Sequence, residues 1–397
     1  MIIYNKNWLN NLRLHQQIDA DQAADILTSD EVTAIKSKYP VGFYSHGIIL
    51  RIGFFILTIV LLIFACGLLS LMASEVRIVE SFGWLLFLGI GTYVVLEYIV
   101  RENNHYRSGV DDALMWVAGG LFTGSFIWLI ETIDTAGYEN SHAIGISVFV
   151  LLLAGYFTLR FADILMSVVT SVAFLSAVFF IWNKLGALGI ATIPFIMMLA
   201  SVSIYLIGKR FNRHPKALYY ANCLIAVQLI GLVTLYLSGN YFIIDQLGSQ
   251  LTPNTSFEHA PVRLGWLFWL WTILVPFFYI AIGLRKKNVL FLRLGLLLVA
   301  ATVFTVRYYY HILPTEMALI LGGGILLALV YAVVRYLKTP KQGFTYAETA
   351  TRNKMDQLKV ESLLVAQTTP HTPHIPIEHP DRFGGGSFGG GGSSSSF

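Results

Sequence analysis

Charged residues are scarce throughout this chain of 397 residues. Asp, Glu, Lys and Arg make up 13% of it, whereas apolar and aromatic residues make up 55%. Soluble domains contain roughly a quarter charged residues, so this deficit excludes an ordinary soluble globular protein. The apolar residues gather in runs of about 18 or more, each long enough to cross a hydrocarbon core of about 30 Å as a helix. The composition therefore predicts an all-α, polytopic transmembrane helix bundle that contacts the lipid bilayer.

Cysteines and the sequence motifs of enzymes are also scarce. Cys66 and Cys223 are the only cysteines and lie in different apolar runs. They cannot form a disulfide framework or a cysteine-rich metal site, so packing is their predicted role. No nucleophile elbow, zinc-protease motif, Walker loop or dinucleotide fingerprint occurs in a suitable context. We therefore predict no catalytic residue, no metal, no cofactor and no nucleic-acid partner.

The apolar runs predict a membrane domain over residues 48–337. Ten spans are expected, at 48–73, 80–100, 112–131, 142–160, 162–182, 186–208, 217–238, 263–284, 288–311 and 315–337. The first run begins only after a mostly polar stretch and does not resemble a signal peptide. It is therefore expected to be an uncleaved anchor.

The positive residues are distributed unequally between the two sides. If the N-terminus is cytoplasmic, 21 of the 27 Lys and Arg residues lie in inner segments or at inner helix ends, and only four lie on the outer side. Positive residues concentrate on the cytoplasmic side of membrane proteins. Both termini are therefore predicted to be cytoplasmic.

Residues 1–47 predict two or three short helices on the cytoplasmic side. An apolar stripe is formed by Trp8, Leu9, Leu12 and Ile18. Asp19 and Ser29 are predicted to cap further helices. The region is either a helical cap that binds a protein partner or an amphipathic segment on the inner leaflet.

The C-terminal end has a different composition. Residues 338–366 read as a cytoplasmic juxtamembrane segment, and residues 367–397 are rich first in Pro and His and then in Gly and Ser. Such a composition cannot bury a core, so we expect this tail to be disordered. His371, His374 and His379 are predicted to be solvated rather than bound to a metal.

Charged residues inside the predicted spans are candidates for function because they are costly in a bilayer. Arg51 lies near enough to the inner end of its span to extend to the interface. Glu97 is predicted to pair with Arg101 one turn later. Asp111 and Asp112 begin the third span, where a helix N-terminus favours acids. No charged residue is predicted at the bilayer midplane, which argues against the hypothesis of a proton-coupled pump.

The stretch TVRYYYHILPTEM, residues 305–317, holds the candidate ligand site. Arg307 lies roughly 29 Å beyond Asn288 along a helix, at the outer edge of the bilayer, where arginine is unfavourable without a partner. Tyr308 and His311 share its helix face. Glu316 begins the next predicted span after a hairpin and is the first predicted partner of Arg307.

Glu131, at the outer end of the third span, is the second predicted partner of Arg307. The alternative to a ligand site is an aromatic belt with one structural ion pair, because tyrosine is common at the headgroup level. Tyr309 and Tyr310 fit that belt. The segment 239–262, the longest outer connection, predicts an interfacial helix or a lid over the outer face.

Two stretches, LRLHQQIDADQAADIL and FTVRYYYHILPTEMALILGGGILLALVYAVVRYL, resemble a family of bacterial predicted membrane proteins of unknown function. That resemblance implies a short helical N-terminal region, many membrane helices and a late Arg-Tyr-aromatic element. It also implies a location in the bacterial inner (plasma) membrane. It implies no activity.

The leading hypothesis is a non-catalytic scaffold, sensor or envelope-associated partner in the inner membrane, with residues 1–47 able to bind a protein. The second is a secondary transporter of a small solute, because ten spans divide into five and five, and an odd repeat unit inverts the second half. The third is an enzyme acting at the outer face. A central polar cavity would favour transport, whereas a packed bundle with a lateral groove would favour the first hypothesis.

Overall fold

A computed structural model describes most of the chain up to Tyr310. The described ranges are 2–23, 26–45, 47–76, 78–133, 139–251 and 264–310. Beyond them it describes eight isolated helical positions between 317 and 335.

Twelve α-helices form the described part of the chain, which contains no β-strand. Their bounds are α1 Lys6–Ala23, α2 Ser29–Lys38, α3 Ile48–Ala73, α4 Phe82–Glu102, α5 Val110–Ile133, α6 Glu139–Phe161, α7 Ile164–Asn183, α8 Ala187–Phe211, α9 Ala221–Leu237, α10 Tyr241–Leu251, α11 Gly265–Lys286 and α12 Val289–Tyr309. Short 3₁₀-helices at Ser74–Val76, Ile78–Glu80 and Pro215–Tyr220 complete the described helical structure.

Nine of the described helices are long and apolar enough to cross a membrane: α3 to α9, α11 and α12. They correspond to the first nine predicted spans, and the tenth, 315–337, lies outside the described residues except for isolated positions. Large apolar side chains such as Leu188 and Phe64 point away from the bundle. Such a surface is stable only in contact with lipid or another apolar surface, so this is a multi-pass membrane protein.

Neighbouring helices pair as hairpins in the bundle. The closest pairs are α4 with α5, α6 with α7, α8 with α9, and α11 with α12. α7 also packs against α8 and α9 and thereby joins the earlier hairpins to the later ones. α3 packs mainly along α5, and none of its residues is fully buried.

The N-terminal region forms two helices. α1 runs through Asp19 without a break, so the predicted helix start at Asp19 is wrong. α2 is capped by Thr28 rather than by the predicted Ser29. The Thr28 side chain accepts a hydrogen bond from the Glu31 backbone N–H at 3.4 Å, and the Glu31 carboxylate accepts one from the Thr28 N–H at 2.9 Å. This reciprocal capping box explains the one-residue shift.

One end of the bundle, here called the N-terminal face, is covered by residues 2–23 and 26–45. The Ile3 N–H donates to the Arg160 carbonyl at 3.0 Å, and the Tyr44 N–H donates to the Asn104 carbonyl at 3.0 Å. Leu9 belongs to the same buried cluster as core residues of α4 to α7. The helical N-terminal region is thus packed onto the membrane bundle.

Candidate functional site

A lateral cavity of about 430 Å³ opens on the side of the bundle near the N-terminal face. It is lined by Ile48, Arg51, Ile52 and Phe55 of α3, Asp112 and Trp116 of α5, and Leu165 of α7. The rim residues Ile48, Ile52 and Leu165 are each about half exposed. Arg51 lies about 5 Å along α3 from its first residue. The cavity therefore faces the bilayer close to the level of the headgroups.

An ion pair between α3 and α5 forms the polar wall of the lateral cavity. Arg51 Nε donates to Asp112 Oδ2 at 2.7 Å. The side chain of Arg51 is 37% exposed and that of Asp112 is 13% exposed. The prediction that Arg51 extends to the interface did not include this partner, which the packing of α3 on α5 brings to it.

The segment before α5 fixes the position of this ion pair. Asp111 accepts hydrogen bonds from the Arg107 N–H at 2.8 Å, and from the Ser108 N–H and hydroxyl at 2.9 Å each. Gly109 has a φ of +98°, and a side chain there would collide with the Arg51 carbonyl oxygen. Glycine is therefore required where this segment passes against α3. Asp111 and Asp112 thus have different roles, the first in the turn and the second at the cavity.

Two further charged groups lie near the ion pair. Asp163 caps α7, since its Oδ1 accepts a hydrogen bond from the Met166 N–H at 2.8 Å. Burial raises the pKa of Asp163, and the Met166 hydrogen bond and the positive charge of Arg107 oppose that shift. The Arg107 guanidinium lies 5.4 Å from the centre of the Tyr106 ring. The surroundings of Arg51 therefore contain both carboxylate and guanidinium groups.

The same segment holds the N-terminal region in place. The Tyr4 ring packs edge-on against Tyr106 with centroids 4.8 Å apart, and Phe43 stacks on Tyr106 at 4.9 Å. Tyr4 is buried, and its burial raises the pKa of the phenol. Residues 103–111 thus contact the N-terminal region at one end and lead into the cavity at the other.

A second ion pair near the N-terminal face connects α4 and α6. Arg160 donates from Nε to Glu97 Oε1 at 2.9 Å and from Nη2 to Oε2 at 2.8 Å. Tyr93 also donates to Glu97 Oε1 at 2.5 Å, and the Tyr93 and Tyr156 hydroxyls are 2.6 Å apart. The predicted pairing of Glu97 with Arg101 is therefore wrong, because Arg160 offers a planar bidentate partner across the bundle.

The structure describes three of the five predicted ligand-binding residues. Arg307 is half-buried near the end of α12, and among the described residues it has no ion-pair partner. Tyr308 is exposed, and its hydroxyl lies 3.5 Å from Gln246 Nε2. Glu131 is exposed near the end of α5, and no ion pair joins it to Arg307 within the described part of the chain. His311 and Glu316 lie outside the described residues.

The tyrosine after Tyr308 has a more specific contact than the predicted belt requires. Tyr309 donates a hydrogen bond to Asp245 Oδ2 at 2.5 Å and packs edge-on against Tyr241 at 5.0 Å. α10 is amphipathic and lies along α11, as expected for an interfacial helix. These contacts join α10 to the end of α12.

A neutral hydrogen-bond network lies beneath that aromatic cluster and was not anticipated. Asn240 Nδ2 donates to the Tyr236 hydroxyl at 3.0 Å and to Thr305 Oγ1 at 3.2 Å. Thr302 Oγ1 is 3.0 Å from the Tyr236 hydroxyl and donates to the Thr272 carbonyl at 2.9 Å. Five side chains form hydrogen bonds with one another or with nearby backbone groups: Asn240, Tyr236, Thr305, Thr302 and Thr272. This network therefore stabilises the contacts among α9, α11 and α12.

Sequence reasoning identified Arg51 and Asp112 as charged residues but did not bring them together. The sequence did contain a signal for this pairing. Arg51 and Asp112 have opposite charges, and each lies within about one helical turn of the same end of its predicted span. In the described part of the chain, no group of three or more His, Cys, Asp or Glu side chains is placed to hold a metal ion. The lateral cavity instead combines an apolar lining with one ion pair.

Comparison with known proteins provides no relative from which to transfer a function. No family model matches the chain, and no curated protein or solved structure matches it. The case for a function therefore rests on the geometry of this chain's own residues.

Proposed function

We propose that this protein is a non-catalytic, lipid-responsive sensor or scaffold of the bacterial inner membrane. The observation that carries the proposal is the lateral cavity, which combines an apolar lining with an accessible ion pair close to the membrane interface. An amphiphile from the bilayer meets both requirements, because its chain lies in apolar surroundings while its headgroup remains at the interface. A solute taken from water matches only the accessible ion pair and not the apolar lining.

The coupling of the cavity to the N-terminal region supports a sensing role. Asp112 follows Asp111, which holds the backbone of Arg107 and Ser108, and Tyr106 packs against Tyr4. A molecule that displaces Arg51 or Asp112 therefore acts directly on the segment that holds the N-terminal region. The exposed outer surface of residues 2–23 and 26–45 would then present this change to a protein partner.

The distribution of charge supports this proposal over transport. The charged residues in the described spans lie towards their ends. Tyr236, Thr272 and Thr302 of α9, α11 and α12 are hydrogen-bonded. The buried Gln228 Nε2 and Trp271 Nε1 have no hydrogen-bond partner in the described part of the chain, but neither group is charged. An ion-coupled transporter generally places its binding groups near the bilayer midplane. The lateral position of the cavity makes it accessible from the bilayer rather than from a central pathway.

The proposed orientation has both termini in the cytoplasm and ten spans, on the basis of the 21 positive residues on the inner side against four on the outer side. Reporter fusions after positions 135 and 250 should report the outside, and fusions after 213 and 345 should report the inside. An external signal at 213 would overturn this topology, because four basic residues lie between 209 and 216.

Hydrogen exchange on the full chain tests the sensing role. The protein is delipidated in detergent and then compared with and without added bacterial phospholipid. We expect lipid to slow exchange in the segments 2–23 and 103–111 as well as around the cavity. Lipid bound at the cavity without any change in the exchange rates of those segments would contradict the sensing role. The exchange rate of Gly248 on α10, at the other end of the bundle, provides an internal reference.

A further inference from the structure

We propose that the lateral cavity selects a phospholipid whose headgroup carries both a phosphate and a primary ammonium group, as in phosphatidylethanolamine. This inference rests on the proposed function, in which the cavity binds a membrane amphiphile. It identifies the class of headgroup from the hydrogen-bonding atoms that Arg51 and Asp112 leave unused.

Arg51 supplies the donors for the phosphate. Its Nε is occupied by Asp112 at 2.7 Å, whereas its two Nη groups have no hydrogen-bond partner among the described residues. The side chain is 37% exposed, so these groups are accessible from the cavity. A guanidinium fork matches the geometry of phosphate oxygens, and the hydrogen bonds are strengthened by charge.

Asp112 supplies an acceptor for the ammonium group. Its Oδ2 accepts from Arg51, and its Oδ1 accepts no hydrogen bond from the described part of the chain. An ionised carboxylate has several acceptor positions, and a primary ammonium has three N–H donors to offer. A trimethylated ammonium has none. The geometry therefore favours an ethanolamine headgroup over a choline headgroup.

The surrounding charge disfavours an anionic headgroup. Two guanidinium groups, Arg51 and Arg107, face three carboxylates, Asp111, Asp112 and Asp163, in this part of the molecule. The formal balance is thus negative by one charge. A headgroup with a phosphate alone adds a further negative charge to that surplus, whereas a zwitterionic headgroup adds none.

The apolar lining accommodates the glycerol and the first part of an acyl chain. Ile52, Phe55 and Trp116 line the cavity, and the exposed apolar surface of α3 continues along the bilayer. The chain can therefore follow α3 away from the ion pair while the headgroup remains bound. Burial of apolar area along this path contributes to affinity but does not distinguish headgroups.

Native mass spectrometry of the delipidated full-length protein tests the inference. Phosphatidylethanolamine, phosphatidylcholine and phosphatidylglycerol with identical acyl chains are titrated separately. We expect phosphatidylethanolamine to bind about tenfold more tightly than the other two, the ratio that one charge-assisted hydrogen bond provides. Asp112→Asn should remove the preference over phosphatidylcholine, and Arg51→Gln should weaken binding of all three lipids.

Two further variants make the result unambiguous. Arg293→Gln is the matched control, because Arg293 is an exposed arginine near the start of α12, away from the cavity, and its loss should change nothing. Leu165→Trp fills the cavity from its rim without altering the ion pair and should reduce binding of every lipid. If Arg51→Gln fails to fold, Arg51→Lys replaces it and should weaken binding of all three lipids, because the planar fork is lost.

The outcomes separate the two proposals. Equal binding of the three lipids, or tightest binding of phosphatidylglycerol, overturns the headgroup inference and leaves a lipid-binding cavity in place. Lipid binding that Leu165→Trp does not affect, or no lipid binding at all, overturns the proposed function. Retention of the phosphatidylethanolamine preference in Asp112→Asn also contradicts the role given to Oδ1.

Discussion

The two halves of the membrane bundle stabilise their helix contacts with different chemistry. In α3 to α7, polar contacts between spans near the N-terminal face include two ion pairs, Arg51 with Asp112 and Glu97 with Arg160. In α9, α11 and α12, the contacts are neutral hydrogen bonds centred on Tyr236 and Asn240. The first half thus has ion pairs between spans, one of them at the lateral cavity, whereas the contacts between spans in the second half are neutral hydrogen bonds.

The difference also follows from access to water. Charges near an interface keep partial contact with water and headgroups, so their desolvation cost is lower than at the bilayer centre. Hydroxyl and amide groups can be buried completely once each finds a partner. Tyr236 is completely buried for this reason, while Arg51 remains partly exposed.

The largest effect is expected from the ion pair between α4 and α6. Glu97→Gln should lower the free energy of unfolding by about 2–3 kcal/mol, because it leaves the half-buried Arg160 without its carboxylate. Unfolding in mixed micelles measures this change. Glu102→Gln, at the exposed end of the same helix, is the control and should have little effect.

A double mutant sharpens that result. Glu97→Gln combined with Arg160→Gln should cost less than the sum of the single changes, because the two side chains contact each other. Additive costs would show that the pair contributes no coupling energy. Stabilisation by ion pairs between spans would then no longer distinguish the first half of the bundle from the second.

The neutral network should give the next largest effect. Asn240→Ala removes a buried amide that bonds Tyr236 and Thr305, and we expect a loss of about 1–2 kcal/mol in the free energy of unfolding. The loss should be the same at low and high salt, because no ion is involved. Gln250→Ala, on the exposed side of α10, is the control. A strong salt dependence in Asn240→Ala would break the comparison between the halves.

Arg307 offers another way to break the comparison, because a pair with Glu316 would place an ion pair in the second half. Arg307→Gln and Glu316→Gln should each cost about 1 kcal/mol, and the double change should cost less than their sum. Glu131→Gln tests the second predicted partner. If the site binds a ligand, Arg307→Lys should keep stability and lose binding. Additive costs would rule out the pairing with Glu316.

The smallest effect is expected outside the membrane, at the α2 cap. Thr28→Ala should destabilise α2 by about 0.5–1 kcal/mol, as measured by hydrogen exchange of its amides. The Thr28 hydrogen bonds lower the pKa of Glu31, so their contribution is present above the unfolded pKa and is lost as pH falls through the lowered value. Protection of α2 should therefore decline in acid. Thr33→Ala, at an exposed position inside α2, should show no such pH dependence.

The sequence was sufficient for the positions of the nine described membrane helices, because a long apolar run has few stable alternatives in a bilayer. It was insufficient for polar contacts between helices. Glu97 had a neighbour of opposite charge one turn away, but its partner is Arg160, 63 positions further along the chain. Local spacing identifies partners on one helix, whereas partners on different helices depend on which faces pack together.

The candidate site was only partly predictable for the same reason. Both residues of the cavity ion pair were recognised as charged, but neither predicted role included the other. The predicted residues at the opposite end of the bundle, Arg307 and Tyr308, remain a prediction because the structure does not describe His311 or Glu316. Tyr309 was assigned to the aromatic belt, yet its contact with Asp245 depends on where α10 lies.

The packing of α3 along α5 has a consequence for the order of assembly during synthesis. α3 ends at Ala73, and the main helix it contacts is complete only at Ile133, sixty positions later. At about 5–20 residues per second, α3 must remain in the bilayer for several seconds without that neighbour. α3 is the most apolar of the nine described spans, which suits it to that interval. The delay also leaves Arg51 without Asp112 until α5 has been made, so the ion pair forms only after α3 is in the bilayer.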